Sequence, residues 1–288
     1  MKNIFVVGSI NTDFVISAPY MPVGGETLTG SGFFTAKGGK GANQAVAACR
    51  LGGKVKMCAC VGDDLFGKET LKAFENEGID ITHIRTVEGT PTGTAVIVVT
   101  NGENRIILDK GANGCLTKED IDEFLADAKG GDIYLTQLEN PIEVIGYGLQ
   151  KAKEKGMFVV LTPAPANVEI KPYLRYCDLI TPNETELEIL GGKEEILLGT
   201  SAKLIVTLGS KGYAICDENG ERTYPCMRIK AVDTTAAGDT LCGGLCAKLA
   251  QGGTLESAAA FGSKAVTIAC TRKGAQPSIP TIEEVEMY

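Results

Sequence analysis

Tryptophan is absent from the sequence, and histidine occurs once, as His83. A single imidazole excludes a zinc centre built on several histidines, and no Cys-x-x-Cys pair supplies a thiolate alternative. No Ser or Cys motif partners His83, so it is expected on the surface or in a loop, outside any catalytic triad. No Gly-x-Gly-x-x-Gly follows the first apolar run, which leaves a dinucleotide site without its phosphate turn. Nor does any run approach the roughly 20 apolar residues of a membrane-spanning helix. The apolar part of the N-terminus, Ile4 to Val7, is too short for a signal peptide, so a soluble, cytoplasmic protein is expected. Positive charge is also scarce: 28 Lys and Arg stand against 36 Asp and Glu, a net charge of −8. That field repels nucleic acids and anionic membranes, and neither is expected as a partner. An anionic ligand would need local dipoles and a divalent cation to hold it.

Glycine and cysteine are the residues in plenty, 36 and 10 of 288. Most of the cysteines lie in apolar runs such as Met57 to Val61, as expected of reduced thiols that pack like small core residues. Cys242 and Cys246 stand one helical turn apart, a spacing that suits packing. The glycines cluster, which marks backbone that turns tightly or approaches a ligand.

Continuous β-branched runs predict strands buried on both faces at Ile4 to Val7, Val55 to Val61, Ile133 to Leu135, Met157 to Leu161, Leu179-Ile180 and Leu204 to Leu208. Helical periodicity alternates with them over Ala42–Leu51, Leu65–Asn76, Lys118–Ala128, Ile142–Lys155 and Gly238–Leu249. The expected fold is α/β, a central, mostly parallel sheet flanked by helices on both faces. Two stretches break the rhythm. Residues from about 12 to 34 and from 92 to 109 carry short strands without helices, the second pair joined by the turn Asn101-Gly102-Glu103-Asn104. They predict a small β-sheet lid over a single domain spanning residues 1–288.

One motif misleads. Gly62 to Glu69 nearly fits a phosphate loop, but Glu69 lacks the hydroxyl and Asp63 and Asp64 would repel phosphate, so these acids are expected to cap a helix. Three other segments carry chemistry. Gly8 to Asp13 follows the first strand, and extended backbone there puts Asn11 and Asp13 on one side, an amide and a carboxylate suited to vicinal sugar hydroxyls. An Asx turn at the strand end is the alternative. Gly38 to Gln44 combines three glycines, Lys40 and Asn43 at a helix start, where N-terminal amides can face a polar ligand. In Val232 to Thr240, a strand over Arg228–Val232 is expected to give way to small residues and then a helix. Free N–H groups at Ala236, Ala237, Gly238 and Asp239 would then form an anion hole for a transferring phosphoryl group, with Asp239 in reach as general base.

Through these segments the chain resembles the ribokinase-like sugar kinase family. The matches run nearly end to end: Gly8–Asp13, Gly38–Ala48, Gln137–Pro141, Thr162–Ala166, Thr181–Glu186, Thr207–Gly212, Val232–Thr240 and Thr271–Ser278. The resemblance implies transfer of the γ-phosphate of ATP to a pentose, D-ribose before deoxyribose or another furanose. It implies sugar contacts from Asn11, Thr12, Asp13, Gly39, Lys40, Gly41, Ala42, Asn43 and Glu139, with Asp239 taking the hydroxyl proton. Asn183, Thr207, Leu208, Gly209, Ser210, Lys211, Gly212, Gly238 and Ser263 would contact ATP, and Glu186 would organise Mg²⁺. Asp233, Thr235, Ala269, Arg272, Gly274 and Ser278 would surround a monovalent cation, K⁺, mostly through carbonyls. Lid strands of such proteins pair between subunits, which implies a homodimer. Two departures stand out. Gly191 to Ser201 replaces a longer helical segment, which weakens the expected sheet edge there, and Ser263 stands where the family usually carries His or Asn.

Overall fold

The computed structural model describes residues 1–101 and 103–288. Strand β1 (Asn3–Val7) lies at the heart of a nine-stranded sheet because its side chains are apolar on both faces. Ile4 and Val6 enter one core, and Phe5 and Val7 enter the other. Strands β4 (Lys54–Gly62) and β8 (Ile133–Thr136) flank it in parallel. Outside β4 lies β5 (Asp80–Val87), and beyond β8 come β9 (Phe158–Leu161), β10 (Leu179–Ile180) and β11 (Lys203–Thr207), all parallel. An antiparallel hairpin, β12 (Tyr213–Asp217) and β13 (Gly220–Tyr224), closes the far edge.

Helices cover both faces, as expected of a parallel sheet. One layer contains α1 (Lys40–Arg50), α2 (Leu65–Glu77), α7 (Ala237–Ala250), α8 (Leu255–Ala269) and α9 (Ile282–Met287). The other contains α3 (Lys118–Phe124), α4 (Ile142–Glu154) and a 3₁₀ segment, Val168–Tyr176, with α5 (Glu184–Ile189) and α6 (Gly192–Gly199) beside it. A second sheet, ordered β3 (Ser31–Gly38), β2 (Asn11–Ser17), β6 (Gly93–Thr100) and β7 (Glu103–Asp109), is the expected lid. The strands β6 and β7 pair antiparallel as the hairpin reading requires; the expected Asn101–Asn104 turn contains Gly102, which lies outside the described residues.

Several expectations need correction. Arg228 to Val232 forms no strand; Val232 donates its N–H to the Cys270 carbonyl, and the segment pairs with no sheet. Helix α1 begins at Lys40, two residues earlier than its apolar period, since the glycines before it supply the turn. The edge near Gly191 to Ser201 is intact: the short helix α6 replaces the longer segment, and β11 still pairs with β10 and β12. The false phosphate loop is a helix cap, with Asp64 accepting from Gly67 N at 2.8 Å and from Thr92 N at 2.8 Å. His83 lies half-buried on β5, the edge strand of the main sheet, with its ring 5.4 Å from that of Phe124. Among the described residues, no helix is long and apolar enough to cross a membrane.

Candidate active site

Parallel strands end together, so their carboxyl-terminal loops meet. Here the loops after β1, β8, β9 and β10 and the end of β11 place Ser9, Glu139, Thr162, Thr181 and Thr207 at one edge of the sheet. Two cavities open at this edge. The larger, about 510 Å³, lies between the lid and the main sheet and is lined by Asn11, Asn113, Glu139, Leu108 and Pro165 among others. The smaller, about 270 Å³, is lined by Lys40, Asn183, Glu186, Thr207, Ala236, Gly238 and Asp239 among others.

The α7 N-terminus builds the floor of the smaller cleft. Ala236 sits in the left-handed region at φ 59 and caps the helix without a side-chain bond. The Ala237 N–H is taken by the Thr234 carbonyl at 3.2 Å, whereas the N–H groups of Gly238 and Asp239 have no backbone partner among the described residues. The expected anion hole therefore narrows to those two amides on the positive end of the helix dipole. A Cβ on Gly238 would meet nothing within 4 Å, so a side chain there would simply fill the cradle.

Asp239 is buried beside this cradle, 7 % exposed. Asn43 Nδ2 donates to its Oδ2 at 3.0 Å, and Gln44 Nε2 donates to its Oδ1 at 3.1 Å. Burial raises the carboxyl above its usual range, while the Lys40 ammonium and the two amides oppose the rise. For Lys40 itself, burial lowers the ammonium, but Asp239, Glu139 and Glu186 outweigh it and leave the group above its ordinary value. A charged lysine thus lines the cleft within the field of three acids.

The sugar-side residues fall into two sets. Asn11, Lys40 and Glu139 line the two cavities, and behind them Asp13 feels the Glu139 charge and Asn43 bonds Asp239; strand alternation turns Thr12 to the opposite face of β2. Gly39 takes φ 90, where a Cβ would lie 2.8 Å from Asn11 N, so the chain can pass only as glycine. The expectation that α1 aims its first amides at a ligand fails. Lys40 N donates to Glu139 Oε2, Gly41 N to Ser9 Oγ, Ala42 N to the Ser9 carbonyl and Asn43 N to the Gly39 carbonyl. Ser9 also donates to Glu139, so protein groups take up that helix end. Burial first, and then the neighbouring Glu139 charge, push Asp13 up to about 6.

On the nucleotide side, Asn183 and Glu186 form a capping box on α5, with Glu186 N donating to Asn183 Oδ1 at 2.8 Å and Asn183 N to Glu186 Oε2 at 2.9 Å. Burial raises the Glu186 carboxyl against the Asn183 N–H and Lys40. Of Thr207, Leu208, Gly209, Ser210, Lys211 and Gly212, only Thr207 lines the cleft; Gly209–Lys211 form a 3₁₀ turn capped by Leu208 and Gly212. Ser263 lies on α8, outside the cleft lining. Asp233 accepts from Thr235 N at 2.9 Å and from Gly274 N at 2.9 Å. Burial works to raise its carboxyl, but these bonds prevail and hold it below the usual value. Arg272 turns its guanidinium to Glu284, so only its backbone is free to face Asp233; Ser278 Oγ donates to the Ala275 carbonyl. Among the described residues no cluster of three or more His, Cys, Asp or Glu side chains forms a metal cage.

The sequence reading overlooked four buried amides: Asn113, Gln44, Gln137 and Gln276. Asn113 Nδ2 donates to Asn11 Oδ1 at 2.7 Å, Gln137 Nε2 to Gln44 Oε1 at 2.7 Å, and Gln276 Nε2 to Asn43 Oδ1 at 3.3 Å. The three glutamines lie inside the matching segments, so the pattern pointed at them without a role; Asn113 had no signal. Cys242, expected as packing, lines the cleft and contacts the Thr162 and Thr181 hydroxyls.

A buried carboxylate facing an amide cradle, next to a pocket rich in hydroxyl-binding groups, defines a phosphotransferase with an alcohol acceptor. Comparison with known proteins gives the same class and narrows it. The family model for pfkB family carbohydrate kinases matches residues 1–282. The ribokinase of Haemophilus influenzae is 44 % identical over 98 % of this chain and 97 % of its own, and the deoxyribokinase of Salmonella typhi is 38 % identical over 99 % and 98 %. The solved structure of Arabidopsis thaliana ribokinase complexed with ribose and ATP superposes with a TM-score of 0.86 at 29 % identity, covering 99 % of this chain and 98 % of that one. The chain belongs to the pfkB family of carbohydrate kinases and is an ATP-dependent sugar kinase.

Proposed function

We propose that the protein transfers the γ-phosphoryl group of ATP to the 5-hydroxyl of D-ribose, giving D-ribose 5-phosphate and ADP. The single observation that carries this reading is the placement of buried Asp239 against the free Gly238 and Asp239 amides, beside the Asn11–Glu139 pocket. Ribose sits with its hydroxyls on Asn11, Asp13, Asn43 and Glu139, and Asn113 holds the Asn11 amide with its oxygen engaged. The 5-hydroxyl oxygen attacks the γ-phosphorus, its proton passes to Asp239, and the bond to the β–γ bridging oxygen breaks. Negative charge that builds on the transferring group meets the two amides, the helix dipole and Lys40.

Glu186 fits a magnesium role, since it lines the cleft and keeps Oε1 free of hydrogen bonds among the described residues. Mg²⁺ takes one or two carboxylates plus substrate phosphates, and when bound it neutralises the phosphate oxygens. For K⁺, both Asp233 oxygens already accept N–H groups, so carbonyls of the Ala269, Arg272, Gly274 and Ser278 segment, with Thr235 alongside, would hold the ion. Activity in tetramethylammonium buffer at fixed ionic strength should rise severalfold on adding KCl and much less on adding NaCl; a flat response leaves Asp233 as a turn cap.

A second reading, a deoxyribokinase, is supported by the Salmonella typhi relative. ATP consumption against ribose, deoxyribose, fructose and nucleosides separates the two readings by the ratio of kcat/KM. Asp239→Asn should lower kcat on the preferred sugar by about 10²–10⁴-fold while calorimetry shows sugar binding retained. More than half of the wild-type kcat would remove Asp239 from the chemistry.

A further inference from the structure

Asp239 can only accept hydrogen bonds while it is ionised, and that polarity propagates through the buried amides behind it. Gln44 must therefore present its NH₂ to the carboxylate, and it uses both hydrogens: Nε2 donates to Asp239 Oδ1 at 3.1 Å and to Thr162 Oγ1 at 3.2 Å. Gln44 Oε1 then faces Gln137, which must present its own NH₂ and does so at 2.7 Å. Both glutamines are inaccessible, at 0 % and 1 % exposure. The chain of donors ends in an orphan: Gln137 Oε1 is buried without a partner, packed where a Cβ on Gly8 would come within 2.2 Å. Leaving a buried acceptor unpaired is unfavourable. Turning Gln137 over would offer that oxygen a new environment but would set carbonyl against carbonyl at Gln44. The orphan is thus the far end of an order imposed at Asp239.

We propose that Gln44 and Gln137 are positioning residues for the transfer reaction, a one-way amide relay that presents Asp239 to the sugar hydroxyl in a fixed orientation and surrounds it with donors only. This rests on Asp239 being the base. Gln44 acts on the carboxylate directly, while Gln137 acts only through Gln44 by forbidding its amide to flip. The charged and titratable groups that face Asp239 from the neighbouring elements are Lys40, Glu139, Glu186 and Cys242. Lys40 alone among them favours the ionised base, and the hydrogen-bond support comes from Asn43 at Oδ2 and from the relay, through Gln44, at Oδ1.

The test uses Gln44→Met, Gln137→Met and the double variant in the full-length enzyme, assayed with the preferred sugar at saturating Mg-ATP. A lost hydrogen bond to a charged group corresponds to roughly a ten- to hundredfold effect, so kcat of Gln44→Met should fall by about that factor. The acid limb of its kcat/KM profile should move to higher pH, and the KM for ATP should stay within about twofold. Gln137→Met should show a smaller fall of the same kind, and the double variant should match Gln44→Met alone. Independent structural damage would make the two effects multiply, which overturns the relay. An unmoved acid limb in Gln44→Met with kcat within twofold of wild type also overturns it. Should Gln44→Met fail to fold, Gln137→Met decides by its own acid limb, which must shift upward. Asp239→Asn runs in parallel: if that variant stays active, the base assignment fails; if it is inactive while the acid limbs stand still, only the relay fails.

Discussion

Asp13 couples its proposed role in sugar binding to stability. It stands on β2, close enough to β3 that a Cβ on Gly38 would lie 2.4 Å from Oδ2. Burial, reinforced by Glu139, moves it from 3.8 to about 6. A raised carboxyl means that the folded protein binds the proton more tightly than the unfolded chain, so this group contributes stability at low pH and loses it as pH rises through about 6. The wild-type free enzyme is therefore strained above pH 6 by about 1–3 kcal/mol at this residue. Asp13→Asn should raise Tm at pH 8, with the difference shrinking toward pH 4, and calorimetric melting across that range measures it. The same substitution removes an acceptor for a sugar hydroxyl and should raise the KM for ribose tenfold or more. In the wild type, the KM for ribose should climb as pH falls through about 6. A Tm difference independent of pH would show that burial does not strain the carboxylate.

Helix packing decides whether Asp239 reaches its amides. Helices α1 and α7 lie close together because Gly243 lets them: a Cβ there would come 2.5 Å from Ala47 Cβ, 2.7 Å from Ala48 N and 2.8 Å from the Gln44 carbonyl. Gly243→Ala forces α7 away from α1, at an overpacking cost of about 1–3 kcal/mol. It also pulls Asp239 from Asn43 and Gln44, four and three residues before Ala47. Expected outcomes are a lower Tm and a loss of kcat larger than any change in the KM for ATP; a stability loss with kcat intact would show that the amide contacts tolerate the shift. The elements that carry this geometry were largely legible in the sequence. The β-branched run of β1 and the small-residue start of α7 announce a strand buried on both faces and an open helix N-terminus. What escaped was set by tertiary contact. Strand β13 is short and half solvated, so no periodicity marks it, and Arg228 to Val232 has strand-like composition but no partner. The α1 amides face inward because Ser9 and Glu139, distant in sequence, arrive at that helix end. Spacing along a chain carries no trace of such arrivals.

For the molecule as a whole, the lid presents an apolar surface that the single chain leaves uncovered. Cross-strand registers place Phe34 opposite Val15, Val15 beside Ile97, and Ile97 opposite Ile106, a continuous apolar row across all four strands. Phe34 is 51 % exposed and Ile106 54 %. One row closer to the main sheet, on the same face, come Ala36, Asp13, Ala95 and Leu108, so the row adjoins the sugar carboxylate. Phe14 points to the other face and packs on Phe66 of α2, its ring centroid 5.2 Å away, which anchors the back of the lid to the body. A row of this kind, exposed on a sheet with open edges, invites aggregation unless another surface covers it. A second copy of the lid would supply such a surface, and the homodimer that the family resemblance implies would bury both rows while stiffening the strand that carries Asp13. Phe34→Glu combined with Ile106→Glu sets two charges in that row without touching the main core. Sedimentation equilibrium should give a dimer for the wild type and a monomer for the variant, with Tm of the main domain nearly unchanged. Because a loose lid orders Asp13 poorly, the KM for ribose should rise several times more than the KM for ATP. A wild-type protein that sediments as a monomer at micromolar concentration would remove the dimer, and the apolar row would then have to fold against the chain's own pocket when sugar binds.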